Sequence, residues 1–199
     1  MRFGKYSRRG ELSALEGGDR VGALLDQKYE KLFALLDANG DGVIAEDDFE
    51  LMGSRVLAAV GEERTAVKGK EYADALMTYW RALRETADAD GDGRIDKGEF
   101  SQALSQVSDH FDMLIGPLYR AGFDLADHDD DGLVGKDGFV AVISAIGVPE
   151  EEAGAAFGRL TETEQGGQLS KDQLMAAATQ FYRDEDPANS ASHLLFGAL

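Results

Sequence analysis

The chain has 199 residues, 43% of them apolar, a net charge of −18 and no cysteine, which fits a globular protein of one compact domain or two small ones and not a disordered acidic tail. The negative balance argues against nucleic acid and anionic membranes as partners, since both are bound through Lys and Arg, and makes cations the natural counterpart. Without cysteine, disulfides, thiol catalysis and thiolate metal sites are excluded.

The first segment, MRFGKYSRRGELSALEGG, holds Arg2, Lys5, Arg8 and Arg9. No apolar stretch of the kind a secretion signal needs follows it, so residues 1–19 read as a basic arm and a cytoplasmic location is expected. Tyr29, Leu32, Phe33 and Leu36 recur at helical spacing and enter the acidic stretch DANGDGVIAEDDF, which begins at Asp37; Phe49, Met52, Val56 and Val60 leave it at the same spacing. The next helix, EYADALMTYWRALRETA, carries Tyr79, Trp80 and Leu83 into DADGDGRIDKGEF from Asp88, and Phe100, Ala103, Leu104 and Val107 lead out. Leu114, Leu118, Tyr119 and Phe123 precede DHDDDGLVGKDGF from Asp127, and Phe139, Val142, Ile143 and Ile146 follow it. The longest apolar run, Phe139 to Val148, contains Ser144 and Gly147 and falls short of the roughly 18 to 20 residues that span a bilayer, so no membrane span is expected.

The three acidic stretches are one device repeated. Each has carboxylate or amide groups at positions 1, 3 and 5, glycine at 6, a branched aliphatic at 8 (Ile44, Ile95, Val134) and Phe just after position 12. A hard cation such as Ca2+ takes about 6 to 8 oxygen ligands, and a loop of about 12 residues supplies them from positions 1, 3 and 5, from the carbonyl of 7 and from an acid at 12, turning sharply at a glycine on the way. The second loop meets every requirement: Asp88, Asp90, Asp92 and Glu99 as side-chain ligands, Arg94 through its carbonyl, and Asp96 through water. In the first, Asp37, Asn39, Asp41 and the Val43 carbonyl are sound, but position 12 is Asp48. The shorter acid reaches with one oxygen and leaves six ligands, a geometry that Mg2+ also accepts. In the third, Asp127, Asp129, Asp131 and the Leu133 carbonyl are present while Gly138 replaces the closing acid, Asp137 points elsewhere, and His128 occupies a non-ligating position. Two to three Ca2+ sites are expected: the third loop either binds with water completing its shell or is a formerly binding loop that only supports its partner, and a glutamate restored at 138 is expected to strengthen it provided its helices hold standard geometry.

This is the EF-hand pattern, and its setting between helices separates it from loop-only calcium repeats. The fold class is therefore all-α, with four helix-loop-helix units in two pairs and a short two-stranded pairing between the loops of each pair, because an odd unit would expose its apolar faces. The fourth hand falls in PEEEAGAAFGRLTETEQGGQLSKDQL, with a helix start at Pro149 and apolar Leu169 and Leu174 at the usual places. Its ligands are gone. Counting back from Leu169 puts Glu162, Glu164 and Gly166 at positions 1, 3 and 5, counting forward from Phe157 and Leu160 puts Thr161 at 1, and the loop ends in Gln173. It reads as a lengthened, structural hand. The expected division is an arm over 1–19, a first pair over 20–109 (loops 37–48 and 88–99), a second over 110–183 (loops 127–138 and about 162–173) and a tail over 184–199.

Four hands in this length, the wide spacing of the first two loops and the ending QFYRDEDPANSASHLLFGAL resemble the sarcoplasmic calcium-binding protein group and its calerythrin-like bacterial members. That resemblance implies two EF-hand pairs packed face to face and a role as an intracellular Ca2+ buffer or carrier. The runner-up is a sensor that regulates a protein target, against which Met52, Met77, Met113 and Met175 are scattered where a sensor concentrates methionine in a groove. A third class, from luciferin-binding relatives, would enclose a small apolar ligand. Tyr72, Tyr79, Trp80 and Phe111 read more simply as core, and His110, His128 and His193 form no catalytic constellation, so no enzyme is expected. A monomer is expected, and the tail with His193, Leu194, Leu195 and Phe196 reads either as an internal plug that folds back or, since Asp184 to Ser192 is polar and contains Pro187, as a frayed terminus.

Overall fold

The computed structural model describes residues 29–109, 113, 115–162 and 166–183. The basic arm, His110, Phe111, Leu114, Glu164 and the tail with His193 and its apolar cluster lie outside the described residues, as do the side chains of Leu104 and Val107. Among the described residues, eight helices with defined bounds follow in chain order: α1 (29–36), α2 (Glu46–Val60), α3 (Val67–Ala87), α4 (Lys97–Asp109), α5 (Gly116–Ala126), α6 (Lys136–Ala145), α7 (Glu150–Leu160) and α8 (Lys171–Arg183). Two short strands, β1 (Leu133–Val134) and β2 (Leu169–Ser170), pair antiparallel.

Local signals explain where the helices begin and end. Glu46, Asp47 and Asp48 open α2 at its positive end, and Gly61, at φ 70°, stops it by turning its N–H back to the Ala58 and Leu57 carbonyls. Pro149 precedes α7, whose first turn is Glu150, Glu151 and Glu152.

Helices α1 to α4 build one pair of hands and α5 to α8 the other. Within each pair the loops are tied at position 8: Ile44 and Ile95 exchange both backbone hydrogen bonds at 2.9 Å, and Val134 stands opposite Leu169. The two pairs repeat each other in their packing as well. Phe33, four residues before loop one, meets Phe100 at a ring distance of 5.7 Å; Phe157, four residues before the fourth loop, meets Phe139 at 5.5 Å. Lys97 lies over the Phe33 ring and Lys171 over Phe123, each from position 10 of one loop onto the helix entering its partner. The pairs then face each other, α2 against α6 and α3 against α5, and their apolar sides merge into one core that includes Phe49, Trp80, Phe123, Phe139 and Phe181. Between them lies an apolar cavity of about 120 Å³, lined among others by Leu32, Met52, Phe100, Phe123, Val142 and Leu174.

Candidate metal centres

Each loop starts where a helix runs out. The amides of Asp37, Asp88 and Asp127 still bond to carbonyls of the entering helix, those of Phe33, Arg84 and Phe123, so position 1 is fixed by the helix while its side chain turns into the loop. In loop two, Asp88 accepts the amides of Gly91 at 2.8 Å and Gly93 at 3.1 Å, Asp90 accepts that of Asp92 at 3.1 Å, and Asp92 that of Arg94 at 2.8 Å. Glu99 closes the ring from the start of α4: one oxygen takes the Ala89 amide at 3.0 Å, the other that of Asp96 at 3.0 Å. Oxygens of Asp88, Asp90 and Glu99 thereby come within 4.8 Å of one another. Three like charges at that spacing form a nest of hard oxygen donors that suits a divalent cation.

Loop one has the same backbone scheme with different electrostatics. Asp37 accepts the amides of Gly40, Asp41 and Gly42, and Asp48 joins the two halves by accepting those of Asn39 at 2.9 Å and Ala45 at 2.8 Å. Asp48 is fully buried, whereas Glu99 is only half-buried. Burial pushes the Asp48 carboxyl above the usual carboxylate range, partly offset by the two amides, so its ionised form is penalised unless a cation sits beside it. Among the described residues, no group of three carboxylates in loop one meets the spacing found in loop two. Asn39, an uncharged donor, fills the third place, and its amide nitrogen donates to Asp47 at 3.3 Å.

Loop three gathers Asp127, Asp129 and Asp131 within 4.8 Å without any help from position 12. Asp127 is 5% exposed; its Oδ2 accepts the Gly132 amide at 3.0 Å, while its Oδ1 is buried and, among the described residues, accepts no hydrogen bond. A buried acceptor left without a partner costs roughly 1–3 kcal/mol, and more when charged. An oxygen aimed into a ring of carboxylates at that cost fits a cation as the missing partner. The environment also brings a positive charge: Lys68 of α3 places its ammonium 2.6 Å from Asp130 Oδ1 and 2.5 Å from the Asp127 carbonyl, and the hydrogen bond to Asp130 holds it above the ordinary lysine range. His128 lies on the rim, with ring nitrogens 2.9 Å from the Ala126 carbonyl and 3.3 Å from that of Val60.

At Gly138 the hand is tighter than standard geometry allows. A Cβ at this position would stand 2.8 Å from the Ala126 carbonyl oxygen, closer than real Cβ contacts. Helix α6 approaches the end of α5 more tightly than a side chain permits, so a glutamate cannot be restored there without moving backbone. The missing acid is matched to a narrower hand.

The fourth loop resolves the two competing frames by satisfying both. Thr161 bonds its amide to Phe157 as position 1 does elsewhere, and Leu169 pairs with Val134 as position 8 does, so the loop holds one residue more than the others between these points. The Thr161 hydroxyl donates to the Phe157 carbonyl at 2.9 Å. Gln173 keeps the mechanical part of position 12: its Oε1 accepts the Ser170 amide at 2.8 Å, and Ser170 Oγ accepts the Gln173 amide at 3.3 Å. This reciprocal cap opens α8, and its signature S-K-D-Q was legible in the sequence.

Helix, twelve-residue acidic loop and helix, paired through position 8, define an EF-hand protein, and a family model described as EF hand matches residues 30–52 and 85–105. The chain is 26% identical over 165 residues to calerythrin of Saccharopolyspora erythraea, covering 80% of this chain and 93% of that one. It is 25% identical over 179 residues to the sarcoplasmic calcium-binding protein beta chain of Penaeus sp., covering 83% and 91%. A Streptomyces coelicolor calcium-binding protein, described as a basis for prokaryotic calcium-mediated regulation, superposes with a TM-score of 0.71 at 28% identity over 79% of this chain and 97% of that one. The chain carries EF-hands and resembles calerythrin and the sarcoplasmic calcium-binding proteins. No helix among the described residues is long and apolar enough to cross a membrane.

Proposed function

We propose that the protein is a Ca2+ buffer or carrier whose principal site is loop two. There Asp88, Asp90, Asp92, Glu99 and the Arg94 carbonyl hold the ion. Asp127, Asp129, Asp131 and the Leu133 carbonyl form a second site in loop three, and Asp37, Asn39, Asp41, Asp48 and the Val43 carbonyl a third in loop one that accepts Mg2+ as well. The bound ion supplies the positive charge that these carboxylates lack; the chain supplies the ring of amides that keeps them aimed inward. The two pairs, 20–109 and 110–183, act as units joined through their apolar faces.

The observation that carries the buffer reading is how those faces are used. A sensor creates an apolar groove for its target on binding metal, but here the inner sides of α2, α3, α5 and α6 are packed on one another, and the exposed large apolar residues among those described are Val67, Met113 and Leu133, scattered on separate elements. An apolar-surface dye tests this directly. Its emission with the full-length chain is expected to stay level or fall when Ca2+ replaces chelator, and a strong rise would favour a sensor instead.

The cavity favours a second reading, a small apolar ligand between the pairs. At about 120 Å³ it approaches the apolar cavities of roughly 150 Å³ that take up benzene. Stabilisation of the Ca2+ form by benzene or toluene in thermal melts would support this reading, and unchanged melts would exclude molecules of that size.

A further inference from the structure

We propose that loops two and three fill as coupled sites, with α3 as the connecting rod and Lys68 as its link to loop three. The proposal rests on loop three being a metal site. Helix α3 has Lys68 as its second residue, and its last, Ala87, is followed directly by Asp88, the first ligand position of loop two. Its 21 residues make a rod of about 30 Å. Tyr72, Leu76, Tyr79, Trp80 and Leu83 along it are all buried, so its two ends cannot move independently without opening the core. One end of the rod is therefore part of loop two, while the other holds loop three from outside that pair.

The grip on loop three is specific. Lys68 Nζ donates to the Asp127 carbonyl and pairs with Asp130 Oδ1, so it fixes the backbone of one candidate ligand and the residue between two others. Asp130 sits at φ 58°, the one non-glycine residue with positive φ among those described, where loops one and two place Gly40 and Gly91 at 77° and 76°. An aspartate in this conformation is disfavoured relative to glycine, and here its carboxylate is what receives Lys68. Loop three thus gives up an unstrained glycine at position 4 for a charge that ties it to the other pair. A loop ordered in advance binds its ion more tightly. Fixing α3 by filling loop two should therefore raise the affinity of loop three, and by linkage the reverse holds equally.

The test is a double-mutant cycle on the full chain. Ca2+ titrations are followed by calorimetry and by emission of Trp80, the single tryptophan and a residue of α3. The loop-three phase is identified as the equivalent lost in Asp127→Asn. With Lys68 present, Glu99→Gln should weaken that phase about fivefold or more, and its filling should still shift Trp80 emission. In Lys68→Met the same Glu99→Gln change should matter less than about twofold, and the emission shift should vanish. Asp130→Asn, which retains a side chain tolerated at positive φ, should reproduce Lys68→Met and serves if that variant folds poorly. Equal weakening with and without Lys68, in chains where Asp127→Asn does remove one equivalent, would overturn the coupling alone. Unchanged stoichiometry in Asp127→Asn would overturn the loop-three site and the coupling with it.

Discussion

Loop two and loop three bring three carboxylates to the same spacing by opposite means. In loop two the acid at position 12 reaches across from α4 and stitches the halves together through the amides of Ala89 and Asp96. In loop three no such acid exists; the hand is drawn in until a Cβ at 138 would strike the Ala126 carbonyl, and an outside residue, Lys68, holds the loop from α3. A loop with its own closing acid carries its full ligand set within itself. A loop without one depends on its surroundings, so changes far from it should reach it.

Metal should change stability more than any substitution does. Loop one carries five acidic side chains, and loops two and three each carry five against two and one basic ones, so most of the net charge of −18 is crowded into the three loops. Binding to the folded state adds about 2.7 kcal/mol per site at a hundredfold excess over the dissociation constant, and in a chain of this size about 1 kcal/mol moves the midpoint by roughly 2–4 °C. Melts in Ca2+ should lie roughly 5–10 °C above those in chelator for each filled site. Superimposable melts would mean that the acidic loops take no metal in the folded protein.

Next comes the substitution that separates the two loops. Gly138→Glu would complete the acidic pattern of loop three, yet overpacking against backbone costs roughly 1–3 kcal/mol. The chelator melt of Gly138→Glu should fall accordingly and loop-three affinity should not improve. Gly138→Ala, which adds only the Cβ, should show most of the same loss. A clear gain in Ca2+ affinity from Gly138→Glu would mean that α6 moves away from α5 easily and that the hand is not held narrow.

A smaller effect is expected in the fourth hand, where Gln173 retains the cap of a position-12 acid without its charge. Gln173→Ala should cost roughly 0.5–2 kcal/mol, in line with the loss of other helix caps, and leave Ca2+ stoichiometry unchanged in a calorimetric titration. The smallest belongs to loop one: Asp48→Glu should shift selectivity from Mg2+ toward Ca2+ by a few-fold in competition titrations, because the longer acid can offer two oxygens.

Much of this was legible in the chain itself, for local reasons. The three D-x-[DN]-x-D-G stretches and their aliphatic position 8 predict loops and pairing together, and Ile44 opposite Ile95 and Val134 opposite Leu169 are where that pattern puts them. The fourth hand was readable only as two conflicting frames, because an extra residue shifts the ligand positions without shifting either anchor. What lay beyond the sequence depends on contacts between distant segments. Nothing around Gly138 announces the Ala126 carbonyl, and nothing at Lys68, 59 residues before Asp127, marks it as a partner of loop three. The burial of Asp48, which looked like a simple shortening of glutamate, is likewise set by packing.

Loop two, the one loop with a complete set of ligands, is proposed as the tightest Ca2+ site. Calorimetric titration of Glu99→Gln beside the unaltered chain is the test. The tightest phase should disappear, with one equivalent lost or its dissociation constant raised at least tenfold. Identical stoichiometry and affinity in the two titrations would contradict the assignment.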